Sequence, residues 1–182
     1  MNTDRLIENI IEQIKEAQIK LGYVKEVIRL YFPAASLSLL LQIPEESADV
    51  LAEQLQKESS LKDTMLGEMQ FSSCKGNRVE VCILPQGAEY VHQYVKDPPF
   101  LVSIIQLFGE NHHLTIEEIC MAFEQFNPNY ICQKMDEGMD FDYVLYFPDE
   151  TPDAWYYCIR MEMGHTIYHR FSKEDYLGLT KI

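Results

Sequence analysis

Apolar side chains recur along this chain with two different periods, and the changes of period mark out its elements. Leu6, Ile7, Ile10, Ile11, Ile14 and Leu21 recur at helical spacing, with Glu8, Glu12, Lys15 and Glu16 elsewhere on the wheel. They predict a first helix over about residues 3–21, with Gly22 as its left-handed terminator. Residues 24–32 mix β-branched and aromatic types and read as extended up to Pro33, before a short apolar helix over 35–41. A further helix follows Pro44, with Glu45 and Glu46 in its first turn and Ala48, Leu51 and Leu55 facing inward. Between 66 and 84 the period becomes two. Met69 and Phe71 alternate with polar neighbours, Lys75-Gly76-Asn77 turns the chain, and Val79, Val81 and Ile83 return on one face, so a β-hairpin is expected. A helix near 88–95 comes next.

Lys96-Asp97-Pro98-Pro99 reads as a boundary, because consecutive prolines disfavour regular structure before them. The chain is therefore divided into a helical region with a hairpin over 1–96 and a second region over 97–182, expected to pack as one compact unit. In the second region, 100–108 is almost uniformly apolar and predicts a buried helix. Thr115 and Glu118 form a capping box ahead of Ile116, Ile119, Cys120 and Phe123. Asn127 and Pro128 then predict a third short helix, which Gly138 should end. Phe141, Tyr143, Leu145 and Phe147 share a strand face, and strands over 154–163 and 165–172 precede a last helical turn at 173–177. The fold class is α+β: N-terminal helices with a β-hairpin, then three helices and antiparallel strands.

Three helices followed by strands resemble the element order of a winged-helix domain, in which the third helix enters the DNA major groove. Charge opposes that function. The net charge is −14, and from Asp97 to Cys158 twelve acidic residues accompany a single basic one, Lys134. A DNA reader needs several Lys or Arg contacts to phosphate, so no nucleic-acid partner is expected. A protein partner or a second copy of the chain fits this surface better. No apolar stretch reaches the roughly 20 residues that a membrane span needs, and no signal-peptide pattern opens the chain. Five cysteines without a CxxC pair indicate reduced thiols and a cytoplasmic setting.

Candidate chemistry gathers in residues 158–170. His165 and His169 on one strand would lie roughly 13 Å apart, too far to share an ion, so no metal is expected, and no motif implies a cofactor. If Met163-Gly164 is a two-residue turn, Glu162 faces His165, Arg160 faces Ile167 and Cys158 faces His169. Cross-strand partners have Cβ atoms about 5 Å apart, which would allow a thiolate–imidazole pair with Cys158 as nucleophile and His169 as base. Cys158, His169 and Glu162 are thus the catalytic candidates, and His165, Tyr168 and Arg170 the ligand-binding ones. No oxyanion-hole motif accompanies them. The reading therefore leans to a non-enzymatic protein-interaction module, with a small-molecule enzyme as the alternative.

Two segments, Gly22-Tyr23-Val24-Lys25-Glu26-Val27-Ile28-Arg29-Leu30-Tyr31-Phe32-Pro33 and GHTIYHRFSKEDY from Gly164 to Tyr176, resemble a bacterial family, mostly from anaerobic Gram-positives, classed as a domain of unknown function. The resemblance implies a cytoplasmic bacterial protein and carries no activity, cofactor or site residue.

Overall fold

The computed structural model describes residues 1–180, which form an α+β protein of seven helices, one 3-10 turn and two antiparallel sheets. Two compact units follow one another: Met1–Asp97, and a second that begins at Pro98.

In the first unit, α1 (Thr3–Leu21) presents Leu6, Ile10 and Ile14, all fully buried at successive turns of one stripe. Gly22 ends it in the left-handed region, with its N–H donating to Gln18 O. After β1 (Ile28–Pro33) come α2 (Ala34–Leu41) and α3 (Ala48–Lys57), the latter N-capped by Ser47. A 3-10 turn at Ser59–Leu61 leads to the hairpin of β2 (Met69–Cys74) and β3 (Arg78–Ile83). The sheet order is β1-β3-β2, and its register places Val79, Val81 and Ile83 opposite Phe32, Leu30 and Ile28. α4 (Pro85–Tyr94) closes the unit, and α1 is pinned to it where Gln18 Nε2 donates to Ala88 O at 2.8 Å. A β-carbon at Gly87 would meet Leu66 O at 2.5 Å, so the α4 backbone depends on glycine for its approach to that loop.

The second unit stacks α5 (Pro99–Glu110) and α6 (Ile116–Phe126) on one face of a four-stranded sheet ordered β4-β5-β6-β7. The strands are β4 (Ile131–Lys134), β5 (Tyr143–Tyr146), β6 (Tyr156–Glu162) and β7 (His165–Phe171). Phe100 is the hub of the core, meeting Phe123, Phe126, Phe147 and Tyr157 edge-on with ring centroids 4.9 to 5.6 Å apart. The capping box is complete: Glu118 N–H donates to Thr115 Oγ1, and Thr115 N–H donates to Glu118 Oε2. α7 (Lys173–Leu179) lies on the opposite face, where Tyr176 stacks on Tyr156 at 4.6 Å.

One element corrects the sequence reading. The third helix expected after Asn127 is strand β4, and Asn127 instead ends α6. All four β4 side chains are exposed, so no buried stripe rewards a helix there. The edge of β5, in contrast, offers a row of main-chain partners, and tertiary pairing wins over weak local signals. The unit does hold three helices, but the third is α7 at its C-terminal end. The helix that a winged-helix protein would place in DNA is therefore an edge strand. Among the described residues, no helix is long and apolar enough to cross a membrane.

Candidate functional site

The turn at Met163-Gly164 has positive φ at both central residues, 52° and 79°, the geometry that matches a two-residue hairpin to strand twist. The register follows from it. Glu162 pairs with His165, Arg160 with Ile167 and Cys158 with His169, as the two-residue turn requires.

Register also distributes the candidate residues between two faces. Cys158, Glu162, His165 and His169 project from one face of the sheet, the one that carries α7. Tyr168 and Arg170 alternate with them and project from the other, against α5 and the core. The sheet itself separates the two groups.

Their surroundings differ as well. Cys158 is fully buried, and burial pushes its thiol up to about 12. His169 is exposed and packs against Phe141 (5.3 Å) and Phe171 (6.2 Å). Glu162 ion-pairs with Arg160 at 2.9 Å. The His165 ring lies 5.1 Å from that of His113, whose Nδ1 donates to Gly164 O at 2.5 Å. On the other face, Tyr168 packs on Phe108 at 4.7 Å. The Arg170 side chain is 1% exposed, reaches Asp153 at 3.3 Å and lies 4.2 Å over the Trp155 ring. Asp153 also accepts from Tyr157 Oη and Trp155 N, so its carboxylate ties the loop before β6 to the sheet.

Chemically, a thiol pushed that high stays protonated near neutral pH, and a protonated thiol is a poor nucleophile. Arg170 and Asp153 are ion-paired with one another behind the sheet. No three or more His, Cys, Asp or Glu side chains are grouped to hold a metal among the described residues. A hollow of about 380 Å³ lies elsewhere, in the first unit, lined by Leu55, Leu61, Met69 and Phe71 with Gln56, Glu58, Lys62 and Glu68. Gln56 Oε1 there accepts from Phe71 N, and Glu58 accepts from Ser60, so these polar groups serve the local backbone.

Two groupings escaped the sequence reading. Asp153 looked like one more loop acid, and nothing local signals a buried arginine partner seventeen positions away. Cys120 on α6 and Cys132 on β4 form the other, near enough for Cys120 to help push the Cys132 thiol up. Assigning Cys132 to a helix hid that neighbourhood.

Fold and surroundings define a two-unit α+β protein with an open-edged antiparallel sheet in its second unit. The chain belongs to the family described as "Domain of unknown function, E. rectale Gene description (DUF3877)", which matches residues 3–180. No curated protein and no solved structure matches it.

Proposed function

We propose that this protein is a non-enzymatic protein-interaction module, whose second unit takes up an extended, basic segment of a partner along the free edge of β4. The observation that carries the reading is the state of that edge: β4 is terminal in its sheet, and all four of its residues are exposed. Met135 N–H donates to Asp142 O, continuing the β4–β5 ladder. Antiparallel alternation then turns the main-chain groups of Cys132 and Lys134 away from β5, free to pair with an added strand. Exposed Phe126, Ile131 and Met139 flank the edge, and Asp136, Glu137, Asp140 and Asp142 follow it, favouring a cationic partner. A cysteine-dependent enzyme at Cys158 and His169 is less well supported, because the Cys158 thiol is buried in the sheet and stays protonated near neutral pH. Nucleic acid is disfavoured by the same acidic surface.

The test is fluorescence anisotropy with a short, labelled, alternating lysine–valine peptide. Lys134→Pro removes an outward N–H from an edge position that tolerates proline. The variant should weaken binding on the order of tenfold, whereas Lys134→Ala, which only makes the face more acidic, should bind at least as well as the native chain. Equal binding by Lys134→Pro, or none by the native chain, would sink the proposal.

A further inference from the structure

Two histidines from different parts of the chain meet at the outer edge of the second sheet. β7 is the terminal strand opposite β4, and residues 111–114, between α5 and α6, lie along its start. Thr166 N–H donates to His112 O at 2.8 Å, and the hydroxyl of buried Thr166 donates to Leu114 O at 2.6 Å. Asn111 Oδ1 accepts from His113 N–H at 2.9 Å, so the backbone is fixed on both sides of His113. Its ring is held too, with Nδ1 lying 2.5 Å from Gly164 O on the hairpin turn. A carbonyl oxygen only accepts, so Nδ1 carries the proton, and in the neutral ring the Nε2 lone pair is left for another partner. The His165 ring lies 5.1 Å away, centre to centre, tilted by 34°. Both histidines are exposed.

We infer that His113 and His165 form a binding site for a divalent transition-metal ion of the nickel, copper and zinc class, with water completing its shell. Imidazole nitrogen suits these ions. A metal–nitrogen bond of about 2.1 Å puts the ion about 3.2 Å from a ring centre. Two such legs span the observed 5.1 Å at an angle of about 105°, between the octahedral right angle and the tetrahedral angle. The rings therefore stand at the separation that one shared ion needs. The contact from Nδ1 to Gly164 O is the kind that metal-binding histidines commonly make with their second nitrogen, and it fixes tautomer and ring orientation. His165 is exposed, and turning its ring about the terminal torsion presents either nitrogen. Glu162, its cross-strand neighbour, is engaged by Arg160 at 2.9 Å, so the donors are the two imidazoles. The net charge of −14 draws cations towards the surface. Spacing along the strand offered His165 only His169, too distant to share an ion, whereas the fold supplies His113 from the loop before α6. The site lies at the opposite edge from β4 and does not rest on the peptide-binding reading.

The test adds nickel(II) chloride to the untagged, reduced, full-length chain at a pH of about 7.5, where an ordinary imidazole is mostly neutral. Paramagnetic nickel broadens the amide resonances of residues close to it, and calorimetric titration measures the affinity. Residues 112–114 and 164–166 should broaden first, before the metal reaches the protein concentration. His113→Ala and His165→Ala should each weaken binding on the order of a hundredfold, because a second ligand held in place multiplies affinity by about that factor. Both side chains are exposed, so both variants keep the native circular dichroism. His92→Ala and His169→Ala should bind nickel as the native chain does. No binding, broadening centred on a cysteine or another histidine, or native affinity in either His113→Ala or His165→Ala would overturn the inference.

Discussion

A thiol inside a sheet behaves as a small apolar group, and at Cys158 that behaviour has a titration signature. Burial raises its folded pKa to about 12, while in the unfolded chain a cysteine titrates near about 8.5. The folded state therefore holds the proton more tightly. Its stabilisation is whole below a pH of about 8.5 and is lost as pH climbs towards the folded value. Replacing Cys158 by Val removes this titration and keeps an apolar side chain of similar size. Urea unfolding between pH 8 and 11 should show native stability falling with pH more steeply than that of Cys158→Val. The difference stays below the one-proton limit of about 1.4 kcal/mol per pH unit, because a single thiol releases at most one proton. Identical slopes would mean that the thiol gains nothing from burial. Arg170 makes the opposite point about residue type: a guanidinium that looked like a ligand-binding group is held in the core by Asp153 and Trp155. Residue type alone could not separate the two, since the burial that distinguishes them is set by distant neighbours.

Turns and caps are the elements where local chemistry speaks most plainly. Gly22 ends α1, Thr115 and Glu118 start α6, and Met163-Gly164 sets the β6–β7 register, each through interactions within a few residues. Met163 is the weak member of that turn. It holds φ at 52° with its side chain 94% exposed, so it bears a left-handed backbone with little packing in return. Asparagine visits that region more readily. Met163→Asn should raise stability by about 1 kcal/mol, read as a higher urea midpoint with unchanged slope. A lower midpoint would show that the methionine side chain packs after all. β4 was not legible for the converse reason. Asn127, Pro128 and Gly138 are helix punctuation, but they bracket a segment whose strand pairing comes from β5, and an all-exposed strand leaves no alternation to read.

At the scale of the whole molecule, the net charge of −14 acts on every equilibrium at once. Like charges repel in the compact state, and salt screens them over roughly 10 Å at 0.1 M. The melting temperature should therefore rise as sodium chloride goes from about 20 mM to about 0.3 M, a range over which screening shortens severalfold. A falling or flat melting temperature would mean that favourable ion pairs such as Lys15–Asp97, with Lys15 buried, outweigh the net repulsion. The same charge bears on partners: twelve acids against one lysine from Asp97 to Cys158 set the sign of what this surface attracts.

By itself the sequence determined the α+β class, the period of most elements, the hairpin register at Met163-Gly164 and the acidic field, because each depends on neighbours in the chain or on simple sums over it. Only the tertiary structure decided that 131–134 is an edge strand, that Cys120 neighbours Cys132, that Cys158 is sealed while His169 is open, and that Arg170 faces Asp153. Each of those outcomes depends on which distant segment arrives to bury a side chain or complete a ladder, and the energy of that arrival exceeds the fraction of a kcal/mol by which local preferences differ.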